Sequence, residues 1–507
     1  MLTFDIISSI YAWRYDMKLE GSRFIEEKKP VLKKLLAGLL EKYEYASILA
    51  CDSKAMRYSV SKKTGVTVAP DGTCSDRGFC VRIVNNGETA EYSFNEISEE
   101  SIGTVMDKIA SGLVPMSEKL PESIEKFRLN AAGVRDTAEG FDESEIKDGV
   151  VTFCKSTGYE IDPEELGDEE ILKLLTAISD KMAAYDDRIT DARANCQYQK
   201  YTKLFLSEKK DLQENVMWTC GTLMVFASAG EEVKMSYKPV SGLGGAEVLE
   251  RLGDRAEDAC KTALELLDST PVIPGEYDCI CEPDVTGMIV HEAFGHGVEM
   301  DMFVKDRALA REYMGKYVAS PLITMRDGAG TISQVASFFF DDEGNPASDT
   351  VIIDKGVLVS GICDSQSAAH LKIKATGNGR RESSERKAYT RMTNTIFEPG
   401  TSKPEEMIAS VDYGFLLCEA ESGMEDPKNW GIQCMVSIAR EIKNGKLTGK
   451  IFSPVVLTGY VPDLLKSITM ISDEIEAGGS GFCGKGHKEW VKVSDGGPYI
   501  KARIRLG

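Results

Sequence analysis

The chain has 507 residues, more than one typical domain, and its 42% hydrophobic content is ample for a sizeable core. It carries 81 acidic and 60 basic side chains, a net charge of −21. That balance argues against nucleic acid or an anionic membrane surface as a main partner.

Leu32, Leu35, Leu36, Leu39 and Leu40 recur at helical spacing after Pro30, a residue suited to a helix start. Strand-like runs follow at 46–50, 58–60, 65–68, 79–84 and 91–94, divided by turn signals such as Asp71-Gly72 and Asn85-Asn86-Gly87. Residues 98–109 and 169–185 read as helices. A second set of strands fills 189–236 and includes Leu223-Met224-Val225-Phe226. A long helix is expected over 245–267, with Leu249, Leu252, Ala256, Ala259, Ala263 and Leu267 on one side. This order describes an α+β domain in which helices pack on a sheet of antiparallel strands.

Ser269-Thr270-Pro271 through Pro274-Gly275 punctuates the chain, so the expected domains are residues 1–270 and 271–507. Strands dominate beyond the boundary, at 331–340, 350–353, 357–362, 414–419, 434–442 and 450–458. Asp354-Lys355-Gly356 and Lys443-Asn444-Gly445 are hairpin turns. The second half therefore reads as a mostly antiparallel β domain. No segment approaches the roughly 20 apolar residues of a membrane span. The start, Met1 to Ile7, lacks the basic region of a signal peptide. The 13 cysteines are scattered without framework spacing, which suits a reducing cytoplasm.

Two of the 4 histidines fall within six residues, in His291-Glu292-Ala293-Phe294-Gly295-His296. Neutral imidazoles suit zinc, and a carboxylate between them can take a proton from an activated water. The spacing is unusual. In HExxH the histidines share one helix face; here they are five apart and diverge by about 140° on a straight helix. Either the helix bulges by one residue or it ends before His296. Gly295 and Gly297 tolerate the backbone angles of either solution. Asp284 is the expected cap of the helix leading in, with Val285, Met288 and Ile289 as its packed stripe. The plain alternative is a pair of ordinary histidines at the end of a buried helix.

A catalytic zinc site usually has three protein ligands and one open position. Glu299 lies three residues after His296, and Asp301 is a weaker version of the same idea. His370 sits in an apolar setting that favours an ordinary histidine. The glycine-rich segment 478–487 offers Cys483 and His487, and Lys485 there would favour a thiolate.

The segment His291 to Gly297, with Glu299 and Asp301, resembles the signature of the TldD/PmbA metallopeptidases, specifically the catalytic TldD type. The resemblance extends to Ala375-Thr376-Gly377-Asn378-Gly379-Arg380-Arg381-Glu382, to Arg391-Met392-Thr393-Asn394-Thr395, and to Phe482-Cys483-Gly484-Lys485. These blocks follow the family's order over roughly the C-terminal half; the N-terminal half matches more loosely. The resemblance implies His291, His296 and Cys483 as ligands of one Zn2+ per chain, with Glu292 as general base. Ligand type admits other divalent metals. It further implies peptide or unfolded-polypeptide substrates admitted through a narrow opening into a dimer, either a homodimer or a heterodimer with a family relative. His487 stands where relatives are expected to carry a non-ligating polar residue, and solvent is its expected environment.

The block Gly379 to Lys387 mixes arginines with acidic residues and reads either as a solvated loop or, through the resemblance, as a grip on substrate. Arg380, Arg381, Thr393 and Asn394 are the candidate substrate contacts. Residues 392–397 have strand character, and as an edge strand they would pair with substrate main chain. The expected function is a zinc-dependent endo- or aminopeptidase of short or unfolded peptides. The alternatives are a non-catalytic peptide-binding or assembly subunit and a metal-dependent hydrolase of a non-peptide amide.

Overall fold

In the computed structural model, residues 17–86, 88–112, 136–486 and 488–507 are described. Helix α1 (Arg23–Leu40) begins where the Ser22 side chain accepts the Ile25 amide, so Pro30 lies inside the helix rather than at its start. The buried leucines of α1 pack with Ile48, Phe79 and Val81.

Nine strands from the first half form one sheet: β1 (Tyr45–Ser61), β2 (Gly65–Pro70), β3 (Arg77–Asn85), β4 (Glu88–Phe94), β5 (Ile146–Lys147), β6 (Val150–Ser156), β7 (Ile189–Ser207), β8 (Lys210–Ala229) and β9 (Glu232–Leu243). Their order is β4-β3-β1-β7-β8-β6-β5, with β9 on β8 and β2 on β1. Only β6–β8 is parallel. The two short runs expected at 46–50 and 58–60 are one long strand, β1. The helix expected over 245–267 is broken. A 3₁₀ turn at Ala246–Leu249 leads to α2 (Glu250–Asp254) and α3 (Ala256–Leu266). Its apolar stripe is buried as expected, in one cluster with Leu223 and Val225 of β8.

The second half opens with β10 (Gly275–Cys281), α4 (Pro283–Val290), β11 (Met325–Asp327) and β12 (Asn394–Phe397). It continues with β13 (Tyr413–Asp426), β14 (Gly431–Lys443), β15 (Val455–Tyr460), β16 (Phe482–Lys485), β17 (Lys488–Lys492), β18 (Ser494–Gly497) and β19 (Ile500–Leu506). Strands β10-β13-β14-β15-β19 lie side by side, and β19 pairs back to β10, so five strands close on themselves. A second sheet has β11-β12-β18 at its centre. The α+β reading holds, with sheets that are mostly antiparallel.

Three expectations fail here. Strand β12 is not an edge: it pairs with β11 on one side and β18 on the other, so its backbone is already satisfied. Residues 331–340 form turns rather than a strand, because side chains satisfy that backbone instead of a ladder. Asn394 donates to the Ile332 carbonyl and Ser337 hydroxyl, and Glu214 accepts the Phe339 amide. The strand expected over 357–362 is only Val357–Leu358.

Candidate metal centre

Helix α4 starts with Pro283 at its first position, after Glu282. Asp284 is therefore two residues past the cap position, which Glu282 occupies. Its carboxylate accepts the Val285 amide at 2.8 Å and the Ala420 amide at 3.0 Å, tying the helix to β13. The α-helical pattern ends at Val290 and passes into a π turn, His291–Gly295, followed by a 3₁₀ turn, His296–Val298. A π turn bonds residue i to i+5. It brings residues five apart onto one side and removes the divergence a straight helix would impose. Gly295 is needed there, since a Cβ would run into Met392 Sδ.

The hairpin β16–β17 carries Cys483 to the same place, with Val491 opposite it. Cys483 Sγ lies 3.2 Å from His291 Nε2 and 3.3 Å from His296 Nε2. The three donor atoms fall within 4.8 Å of one another, and the two rings stand nearly perpendicular, at 88°. Burial pushes the Cys483 thiol up, but the two imidazoles outweigh it and hold the group down at about 5. In return, burial works against protonating His291 while the sulfur charge favours it, leaving that imidazole at about 8. Glu292 reaches to within 3.9 Å of His296 Nε2 and is 17% exposed. It packs over Gly423 of β13, where a side chain would overlap it.

A second layer fixes the donors. Arg391, fully buried, donates from Nη2 to Cys483 Sγ at 3.0 Å and from Nε to Glu299 Oε1 at 3.2 Å. Glu299 Oε2 contacts His296 Nδ1 at 3.2 Å, the ring nitrogen facing away from the sulfur. Such carboxylate–histidine pairs set the tautomer and ring orientation of a ligand. Lys485 reaches Glu299 at 3.3 Å and Asp301 at 2.6 Å. Burial opposes ionisation of Glu299, yet Lys485 and His296 hold it far below the usual carboxylate range. His291 Nδ1 faces Asp495 Oδ2 at 3.7 Å, beyond hydrogen-bond reach. The Gly297 amide donates to Glu425 at 2.9 Å, anchoring the turn after His296.

His291, His296 and Cys483 thus come together, with Glu292 beside them. Glu299 and Asp301 sit behind this group rather than in it. His370 contacts the Gln366 carbonyl at 3.1 Å and is not in the cluster. His487 lies outside the described residues. Of the candidate substrate contacts, Arg380 donates to the Met392 carbonyl at 2.7 Å, and Arg381 forms a buried ion pair with Glu91 at 2.5 Å. Thr393 bonds Asp327 through both its amide (3.0 Å) and hydroxyl (2.9 Å), and Asn394 is tied to the Gly328 carbonyl at 3.1 Å. The sequence alone does not single out the supporting roles of Arg391, Gly423 and Glu425. The available signal for Arg391 is its place in the block Arg391-Met392-Thr393-Asn394-Thr395 that carries the resemblance.

The comparisons agree with this picture. Residues 274–504 match the family described as the PmbA/TldA metallopeptidase C-terminal domain. A metalloprotease of Methanothermobacter thermautotrophicus is 31% identical over 55% of this chain and 61% of its own length. One from Methanocaldococcus jannaschii is 26% identical over 82% of this chain and 94% of its own. A zinc metalloprotease TldD homolog of Saccharolobus solfataricus is 30% identical over 48% of this chain and 54% of its own. The alignments thus span under two thirds of the first and third relatives. Among solved structures, a candidate DNA gyrase modulator of Thermotoga maritima matches with a TM-score of 0.73 at 15% identity, over 94% of this chain and 100% of that one. TldE of Thermococcus kodakarensis matches with 0.66 at 15% identity, also over 94% and 100%. At these identities the structural likeness speaks for the fold. Motif blocks, family model and relatives agree on a metallopeptidase-type C-terminal domain over residues 274–504. Over those residues the chain is similar to the TldD/PmbA family.

Proposed function

We propose that the protein is a zinc-dependent peptidase of the catalytic TldD type, acting on short or unfolded peptides. His291, His296 and Cys483 would hold one metal ion, and Glu292 would serve as general base. One observation carries the reading: a thiol and two imidazole nitrogens, up to 192 residues apart in sequence, converge within 4.8 Å. The donor set suits zinc, whose catalytic sites combine three nitrogen, sulfur or oxygen ligands with an open position. The name of the Saccharolobus relative supports the same metal.

When bound, the ion supplies Lewis acidity toward a peptide carbonyl and acidifies water. Glu292 takes the proton from that water on a carboxylate oxygen and returns it to the leaving amine nitrogen. Glu299 and Arg391 keep His296 and Cys483 oriented. Of the four residues expected at the substrate, Arg380 is retained as a contact; the bonds of Arg381, Thr393 and Asn394 favour a scaffolding role.

The family-model match starting at residue 274 supports domains of 1–270 and 271–507. A second copy or a family relative is the expected partner, supported by the likeness to TldE. The thirteen cysteines are free and no helix among the described residues is long and apolar enough to cross a membrane, both compatible with a cytoplasmic location. The test is a mixture of unfolded peptides incubated with the protein, with and without chelator. Chelator-sensitive cleavage is expected. Binding without cleavage would replace this reading with that of a non-catalytic assembly subunit.

A further inference from the structure

A cleft of about 130 Å³ lies between strands β7 and β8 of the first half and the Cys483 hairpin of the second. That volume has room for several water molecules or a small polar group. Its walls include Tyr201, Trp218, Phe338, Arg380, Phe482 and Lys492.

Four basic side chains line this cleft, and two are neutralised. Lys203 pairs with Asp342 at 2.8 Å and Glu214 at 3.3 Å, and Arg381 pairs with Glu91. The other two have no carboxylate within ion-pair distance among the described residues. Lys492 is 7% exposed. Its ammonium donates to the Ser480 carbonyl at 3.1 Å and lies 4.5 Å from the ring centres of both Trp218 and Phe482. Arg380 donates to the Met392 carbonyl and lies over Phe338 at 5.6 Å.

Burying an ammonium without a counter-charge opposes folding, and the aromatic faces offset only part of that cost. The chain has 81 acidic side chains, so the missing partner is not explained by a shortage of carboxylates. The acids that do line the cleft have their own donors. Asp76 accepts the Ser384 amide and hydroxyl, Asp342 accepts Lys203 and the Arg381 amide, and Glu382 accepts the Glu489 amide. Phe482 pairs with Lys492 across the same hairpin in which Cys483 pairs with Val491. The cationic wall and the candidate metal ligand therefore occupy adjacent registers of one element.

We propose that this cleft binds a carboxylate of the peptide substrate between Lys492 and Arg380. The inference rests on the peptidase reading for the identity of its ligand, but its binding chemistry is separable from turnover. A carboxylate is a planar acceptor that a guanidinium and an ammonium can share. It would supply the negative charge the two cations lack.

Calorimetric titration of the full-length protein carrying Glu292→Gln, which blocks turnover, tests it with three peptides. These are acetyl-trialanine with a free C-terminus, its C-terminal amide, and that amide with one alanine replaced by glutamate. At least one carboxylate-bearing peptide should bind about tenfold or more tighter than the plain amide, as loss of a charged hydrogen bond requires. Preference for the free acid assigns the site to the chain terminus, and preference for the glutamate peptide assigns it to an acidic side chain. Lys492→Met should abolish the difference. Equal binding of all three, or an unchanged preference in Lys492→Met, overturns the proposal, and the first comparison needs no variant at the site. Inorganic phosphate binding more tightly than either carboxylate would overturn the peptide assignment. Carboxylate-selective binding by a protein that cleaves no peptide would instead sink the peptidase reading alone.

Discussion

Gly423→Ala is the sharpest probe of Glu292. Gly423 sits on β13, and a Cβ built there would lie 3.0 Å from Glu292 Cβ, 3.2 Å from Cys434 Sγ, and closer still to Glu292 Cγ. Carbon atoms prefer about 3.5–4.0 Å, so the glutamate must move by roughly 1 Å or the strand must give way. A displacement of that size from productive geometry costs on the order of 10²-fold in turnover. The overpacking itself should cost about 1–3 kcal/mol of stability. None of the three candidate metal donors is among the three atoms nearest the new methyl group, so metal content should stay at the native level. The assay is kcat/KM on a cleaved peptide, measured beside metal content and denaturant unfolding. Native turnover by a well-folded, metal-loaded Gly423→Ala protein would refute the argument that Glu292 must sit where it does.

Glu292→Gln should keep its metal and lose hydrolysis by about 10²–10⁴-fold; comparable turnover in a steady-state assay would remove its role as base. Arg391→Met strips a fully buried guanidinium from Glu299 and from the Cys483 sulfur. Denaturant unfolding should show a loss of about 3–5 kcal/mol, and chelator competition should show metal affinity weakened about 10–100-fold; native values for both would contradict the second-layer assignment. In the metal-free protein, the thiolate absorbance lost in Cys483→Ala should titrate with a midpoint near 5 rather than near the ordinary 9.0. The folded value lies below the unfolded one, so Cys483's contribution to metal-free stability is complete above about 9, shrinks as pH falls, and is gone below about 5. A midpoint near 9 would show that the imidazoles do not hold the thiolate.

What could be read from the sequence was local or carried by motif blocks. The five-residue separation of His291 and His296 forced a choice between a bulge and a helix end, and the π turn resolves it. The stripe from Leu249 to Ala263 marked a buried face even though the helix itself is broken, because burial depends on period more than on continuity. The misses are non-local. Asn394 supplies hydrogen bonds that let residues 331–340 abandon a strand, and no local pattern records a donor more than fifty residues away. Strand β12 has the composition of an edge or a centre alike; its two neighbours decide which. Pro30 reads as a helix start because the cap eight residues earlier, Ser22, is a weaker signal than a proline. Arg391 acquires its role only when the hairpin carrying Cys483 folds back onto the histidines.

Elemental analysis of the native protein and of Cys483→Ala, after identical dialysis, tests the central claim most directly. The account predicts one zinc per native chain and little or none in a variant that remains folded. Undiminished zinc in Cys483→Ala, or a native chain that takes up no divalent metal, would contradict it.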